Sequence, residues 1–444
     1  MVAVTPDEWL PILTKRLDAR MPRVLLLRRY SNGDAPLPEM SRNTKKSWEA
    51  FQKRARTNLG GLACATIAGR MVPLGVNVGT SNTGPGVEAA RKVWRDNRLG
   101  IVFADAIWNM LSVRTGYLIT GMGAGGPIIT SEVPEQVITA PDPAQPWRAR
   151  AALKAWRDPD DGNDHALVWV PGVRQAYVRT SKTTGGTPRP TVEGDWAADG
   201  DPEEYVGAVP VYALDNFNNE AEFEPHIDVI DRINLGKLQR LVTTAMQAFK
   251  ARAFKGLDSK DEEGNDIDWA ERLNFAPGAI VDLPEGIDIW ESDAVLIDPL
   301  LNGEKADLRD FAAVMQLSLD VFVPDNQSGT GAQNAPKGEI QKAKDRIMRA
   351  GASMEGALLS ALRILELDDG STVEVLWEQP EHISLTEKTQ AASQAKTAGL
   401  SQAWVNQNIM GLSPDEIQRE ASEKAGESLM QAAFAVPQQV SANA

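Results

Sequence analysis

The stretch "EPHIDVIDRINLGKLQRLVTTAMQAFKARAFKG" constrains the fold most. It reads as one helix of about 30 residues, roughly 45 Å long, opened by Pro225 and closed by Gly256. An apolar stripe runs through Ile227, Ile230, Asn234, Leu238, Leu241, Ala245 and Phe249. Its polar break, Asn234, is odd in a plain core, although a buried asparagine can fix register between helices. An acidic segment with short strands "AIVDL" and "IDIW" follows, and then a further helix, "KADLRDFAAVMQLSLDVF". Two long helices bracketing an acidic α/β insertion suit a shaft with a projecting tip.

The N-terminal sequence is organised differently. "TPDEWLPILTKRLDARMPRVLLLRRY" predicts a helix from about Pro6, with Asp7 and Glu8 complementing the helix N-terminus and Pro22 expected to kink or split it. A stiff turn, "RRYSNGDAPLPEM", breaks it off before a second helical stretch, "NTKKSWEAFQKRARTNLGGLACATIAGRM". Pro36, Pro38 and the Asn32-Gly33-Asp34 turn are expected to hold the two helices at an angle, with the ring of Tyr30 buried at the corner. From Val72 to about Phe217 the pattern turns β-like, interrupted by one helix, "GVEAARKVWRDNRLGIVFADAIWNMLSVR". This is an α+β domain. Beyond Phe322, "VPDNQSGTGAQNAP" is a loop long enough to suggest function or disorder over mere connection. The helix "KGEIQKAKDRIMRAGASMEGALLSALRILEL" carries Ile340, Ala343, Ile347, Ala350, Met354, Ala357, Leu358, Ala361 and Leu365 on one side. The strand "STVEVLWEQP" then returns to the α+β domain. Two capping boxes, Ser384 to Glu387 and Ser413 to Glu416, open small helices, and the last dozen residues read as frayed.

Composition narrows the function classes. The 444 residues have an ordinary apolar fraction of 42% and a net charge of −15. Up to Arg56 there are 12 Lys and Arg against 6 Asp and Glu, whereas Leu257 to Leu300 carries 13 acids against 2 bases. Such a stretch is ordinarily solvated surface; more specifically, it would repel duplex DNA or dock a basic partner protein. No stretch approaches the apolar length of a spanning helix, and the N-terminus has no secretory pattern. One cysteine, Cys64, and three scattered histidines point to a reducing cytosol and no metal site. "GMGAGG" satisfies G-x-G-x-x-G but continues as strand through Pro127 to Thr130, so it predicts a glycine hairpin rather than a pyrophosphate site. "LGKLQR" lacks the remaining elements of a phosphate loop, and no catalytic constellation or cofactor site is visible.

Lys342, Arg346 and Arg349, spaced four and three, share a helix face just after the long loop. In an isolated domain such residues are commonly a solvated face. Repeated around a ring, a basic ridge behind Asn326, Gln327, Ser328 and Asn334 would make a weak, sequence-blind collar for DNA.

The order of these parts resembles the portal proteins of tailed bacteriophages, in particular long-tailed phages with actinobacterial hosts. "RRYSNGDAPLPEM" resembles their tyrosine, glycine and Pro-Leu signature, with Arg29-Tyr30 where a double tyrosine is usual. "VPVYALDNFNNE" leading to the long helix is similar to their strand, asparagine loop and stem, without the basic residue often found after the asparagine. "SLDVFVPDNQSGTGAQNAP" and the helix after it resemble their helix, Ser-Gly loop and helix.

The resemblance implies an α+β fold in portal order. Residues 1–225 would be a wing domain, 226–256 a first stem helix, 257–300 a clip and 301–322 a second stem helix. A tunnel loop at 323–336 would precede a helix and returning strand at 337–384, with a helical crown and flexible tail at 385–444. Asn326, Gln327, Ser328, Asn334, Lys342, Arg346 and Arg349 would line the DNA channel. Asp261, Glu262, Glu263 and Asp266 would dock partners. The implied assembly is a dodecameric ring at one capsid vertex, built in the host cytoplasm. Its partners are double-stranded DNA, the terminase large subunit, a head-to-tail connector, and the major capsid protein and scaffold, with no membrane, cofactor or enzymatic activity. An oligomeric phage scaffold without a channel, or a nuclease or nucleotide-using factor, are the alternatives.

Overall fold

The computed structural model describes residues 4–38, 45–79, 84–180, 195–248, 252–255, 288–291, 296–322, 337–381 and 385–434. Two compact units divide the chain. One comprises Met1–Pro36, Asn58–Ile230 and Asp310–Ala444, and the other Leu37–Thr57 and Asp231–Arg309.

In the larger unit, helix α1 (Pro6–Ser31) opens with a capping box: Thr5 accepts from the Glu8 amide while Glu8 reaches back to the Thr5 amide. That T-x-x-E pattern is in the sequence and adds to the acidic first turn. The expected split at Pro22 does not occur, and α1 runs through both Pro11 and Pro22. Each proline removes one amide donor, but Trp9, Leu10, Leu13 and Leu17 are packed into a core that holds the helix. The other side of that core is a sheet. Strands β4 (Val137–Pro141), β5 (Ala149–Arg157), β6 (Asn163–Val170) and β7 (Val173–Thr180) form an antiparallel meander. The short strands β8 (Ala197–Ala198) and β9 (Glu203–Glu204) both pair with β7.

The helix expected after the proline turn is two helices, α2 (Lys45–Ala55) and α3 (Leu59–Ala68). Asn58 separates them because its side chain accepts from the Gly61 amide and starts α3 afresh. Tyr30 is buried, with its ring centroid 6.2 Å from that of Phe223. Gly60 and Gly61 let α3 approach the end of α1: a Cβ on Gly61 would lie 2.3 Å from the Ser31 carbonyl oxygen. The turn is therefore a packed corner between α1 and α3.

Strand β1 (Pro73–Val78) leads to α4 (Pro85–Asp96) and α5 (Leu99–Val113), where the sequence reads as one helix. Asn97 caps α4, and Arg98 takes a left-handed φ of 52°, which ends the first helix and reverses into the second. Strands β2 (Thr115–Gly123) and β3 (Gly126–Glu132) pair antiparallel with Gly123 opposite Gly126. "GMGAGG" is thus a hairpin, as its continuation into strand predicts. Strand β10 (Val211–Asp215) completes this three-stranded sheet beside β2.

Helix α6 (Ile227–Ala248) ends well before the expected Gly256, because the main chain of β11 (Arg252–Lys255) pairs instead with β12 (Asp288–Glu291). Helix α7 (Asp298–Met315) starts earlier than its sequence pattern and stops at Gln316, whose φ is 56°. Helix α8 (Lys337–Ile364) matches its expected span, with Ala343, Ala350, Met354, Ala357 and Ala361 fully buried. Strand β13 (Val373–Trp377) returns to pair antiparallel with β1. Helices α9 (Leu385–Thr397), α10 (Gln402–Val405) and α11 (Pro414–Phe434) follow. The Ser413 to Glu416 capping box is formed, whereas Ser384 lies outside the described residues.

Within the smaller unit, Asn234 is buried, and its side-chain oxygen accepts from the Thr57 amide at 3.1 Å. Lys237 donates to the Thr57 hydroxyl at 2.7 Å. Arg240 pairs with Glu304 at 3.1 Å, and Arg232 with Asp307 at 3.0 Å. The polar break in the α6 stripe therefore ties down Thr57, two residues beyond α2, instead of a facing helix register. Among the described residues no helix is long and apolar enough to cross a membrane.

Candidate functional site

Helix α8 lies across β10 and β2. Ser353 donates to the Ala213 carbonyl at 2.7 Å, and Thr120 donates to the Ala357 carbonyl at 3.1 Å. Beyond β10 the chain makes a tight turn at Phe217–Asn219, in which Asn218 and Asn219 both take left-handed φ, a conformation asparagine tolerates better than most residues. That turn presents Phe217 outward and sends Glu222 inward beneath the first turns of α8.

Glu222 is buried and receives the Arg346 guanidinium and, at 3.3 Å, the Lys342 ammonium. Lys342 also donates to the Met315 carbonyl at 2.9 Å. Asp345 binds Arg346 and, at 2.9 Å, Arg349. Both guanidinium groups lie over the Phe217 ring, 5.3 and 5.2 Å from its centroid. Burial pushes the Asp345 carboxyl up, but hydrogen bonds from Arg349 and Arg346 outweigh it and hold its pKa below the ordinary value. Burial alone would lower the Arg346 pKa; its bonds to Glu222 and Asp345 raise it instead.

These contacts correct the expected solvated basic ridge. Lys342, Arg346 and Arg349 do gather on one side of α8, but Lys342 and Arg346 are committed to a buried carboxylate. Turning both toward a phosphate would strand the Glu222 charge in the interior, where an unpaired ion is strongly unfavourable, and turning one would weaken its pairing. Arg349 alone stays substantially open, its side chain 38% exposed. The other expected channel residues, Asn326, Gln327, Ser328 and Asn334, lie outside the described residues. So do Asp261, Glu262, Glu263 and Asp266.

Two further buried glutamates extend the network. Glu339, in the first turn of α8, pairs with Arg70 and accepts from the Ser318 amide at 3.4 Å. Glu224 binds Arg114 in a two-pronged pair, Arg23 at 2.7 Å and the Ala221 amide at 2.9 Å. Sequence reading missed all three hubs. The one signal is acids interleaved with Ala221 and Phe223 in "EAEFEP", and it names no partner.

The Glu224 carboxyl is pushed up by burial, yet bonds from Arg114, Ala221 and Arg23 leave its pKa below the ordinary 4.5. His226 is held below 6.5 by burial and then by the Lys342 charge. In both cases the unfolded chain takes up the proton first, so the stabilisation is complete above the ordinary value and drains away as pH falls through the folded one. Urea midpoints of the larger unit should therefore be level from pH 6.5 up to 9.0, the ordinary value of the buried Cys64 thiol, and decline once below pH 6.5 and again below pH 4.5. His226→Gln should remove the first decline and keep the second.

Between the end of α3, the Leu319–Val321 turn, the start of α8 and the segment after β13 lies an open cleft of about 500 Å³. It is lined by Asp320, Glu339, Glu378 and Glu381 around Arg70. Glu381 pairs with Lys344 at 2.5 Å. Asp320 and Glu378 have no partner among the described residues.

Elsewhere, the hairpin between β5 and β6 brings Asp158, Asp161 and His165 within 4.8 Å of one another, a grouping the scattered histidines did not suggest. Their bonds stay within the hairpin: Asp161 accepts from His165 at 2.8 Å and from the Asn163 amide at 2.7 Å, and His165 stacks on Trp156. Cys64 is buried, its thiol pushed up by burial first and by the Glu222 charge next. That favours the unreactive protonated form.

Residues 11–428 match the family described as phage portal protein, SPP1 Gp6-like. Among solved structures, the chain is similar to one from the virion of a native gene transfer agent particle, with 15% identity and a TM-score of 0.43, covering 88% of this chain and 99% of that one. It is also similar to one from the neck of the native particle computed with C12 symmetry, at 14% identity and a TM-score of 0.42, covering 88% and 98%. No curated protein matches the sequence.

Proposed function

The chain belongs to the SPP1 Gp6-like phage portal protein family and is a portal-type structural protein; we propose that its copies close a ring at one capsid vertex through which double-stranded DNA is packaged and ejected. The observation that carries this reading is the reach of the family match, which takes in both compact units. In this role the protein is a virion component assembled in the host cytoplasm, in a ring of twelve copies. It docks the terminase large subunit, which supplies ATP hydrolysis, and then the head-to-tail connector, beside the major capsid protein and scaffold.

In this reading the residues divide the labour. Asn326, Gln327, Ser328 and Asn334 contact passing phosphates through short polar groups, and Asp261, Glu262, Glu263 and Asp266 present an acidic docking surface. Lys342 and Arg346 serve the conduit indirectly, by anchoring α8 to Glu222. A net-negative wall supports sliding, because each phosphate neutralised by a cation adds salt-dependent affinity that would hold DNA in place.

Electron microscopy of the purified full-length protein tests this. Rings with a central channel wide enough for a DNA duplex are expected, with no ATPase or nuclease turnover by the protein alone. Monomers or solid particles, or robust turnover, would refute a passive conduit.

A further inference from the structure

Helix α8 separates two unlike surfaces of the larger unit. On one flank it meets β10 through Ser353 and through a Ser360–Tyr212 hydroxyl pair. On the other it meets β13, where Glu355 accepts from the Val375 amide at 3.3 Å and Gly351 lies beside the Trp377 indole. At about 100° per residue, Arg349 and Lys344 fall on opposite sides of the buried line through Ala343, Ala350 and Met354. The β10 flank ends in Phe217, 47% exposed, with the Arg349 guanidinium over its ring. The β13 flank ends in the acidic cleft, where Asp320 and Glu378 are unpaired among the described residues.

We propose that these two flanks bind one another between successive copies, with Arg349 and Phe217 of one copy seated against the Asp320 and Glu378 carboxylates of the next; this rests on the ring reading above. The charges are complementary. The two patches lie on opposite flanks of one helix, so each copy offers both halves of a head-to-tail contact, the type that generates rings when its rotation closes. Arg349 is also pre-organised. Asp345 holds its Nε, and the Phe217 ring supports its plane, so little side-chain freedom is left to lose on docking. An arginine beside an exposed aromatic is the composition that concentrates binding energy at interfaces.

Charge exchange tests the contact in the full-length protein, read by mass photometry and electron microscopy. Arg349→Glu and Glu378→Arg should each raise the concentration needed for half-assembly by about tenfold or more, and combining them should restore it toward wild type. Melting curves accompany each variant. Because a glutamate beside Asp345 could itself disturb the fold, a second measurement uses Arg349→Cys with Glu378→Cys. Cys64 is buried, so mild oxidation should give a ladder of linked multimers from this pair and none from either single cysteine variant. Unchanged assembly of the charge variants, failure of the exchange to restore it, or assembled rings without a ladder would each overturn the contact. Rings that assemble normally from Arg349→Glu but differ in DNA retention would assign Arg349 to the channel instead. A wild-type protein that stays monomeric would remove the ring reading, and this contact with it.

Discussion

Replacing Glu224 by alanine is expected to destabilise the larger unit by about 2–3 kcal/mol, the loss of charge-assisted hydrogen bonds to a buried carboxylate whose arginine partners stay partly exposed. Three groups depend on that carboxylate. Arg23 comes from α1, Arg114 from the end of α5, and the Ala221 amide from the approach to α6. Arg114 also sits at φ 82° and ψ −42°, a backbone conformation that a non-glycine residue keeps only when its surroundings hold it. Its two-pronged bond to Glu224 is that restraint. Loss of the carboxylate therefore leaves a half-buried guanidinium without its partner and a strained turn without its restraint. Glu224→Gln keeps the shape and part of the hydrogen bonding, so it should fall between wild type and the alanine variant. Urea unfolding at neutral pH measures both, and a Glu224→Ala midpoint equal to wild type would show that the hub contributes nothing.

Gly116→Ala should cost about 3 kcal/mol, the upper end for overpacking a close-packed core. A Cβ at this position would lie 2.1 Å from the Ala106 carbonyl oxygen and 2.9 Å from its carbon. Both are backbone atoms of α5, which packs directly on β2, so no side chain can rotate to relieve the clash. The helix or the strand must move. Gly121→Ala in the same strand is the control, since nothing lies within 4 Å of its added Cβ. It should leave the urea midpoint within about 0.5 kcal/mol of wild type. Equal behaviour of the two variants would mean that the α5–β2 approach tolerates separation.

Sequence reading succeeded wherever periodicity or turn chemistry is local. The α8 stripe, the glycine hairpin at Gly121 to Gly126 and the returning strand at Val373 all follow from spacing within a dozen residues. Helix boundaries were read less well. Arg98 and Gln316 end helices at a left-handed φ, Asn58 starts one through a side-chain cap, and each sits in a stretch whose apolar pattern continues across the break. Pro22 does not split α1, one of the two outcomes expected of it. Its local penalty is real, but the packing of α1 on the β4–β7 meander outweighs it.

The candidate site divides in the same way. That Lys342, Arg346 and Arg349 share a side of α8 is a property of helical spacing and is visible in the sequence alone. Whether they face water is not, because Glu222, the partner of Lys342 and Arg346, lies more than a hundred residues earlier, and only the packing of β10 beneath α8 brings it there. Sequence by itself determined the α+β class, the long helices around an acidic segment, and the family, since these rest on local periodicity and on the order of motifs. Tertiary structure decided which charges are spent and which remain open: pairing energy depends on distance and burial, and both are set by contacts between residues remote in the chain.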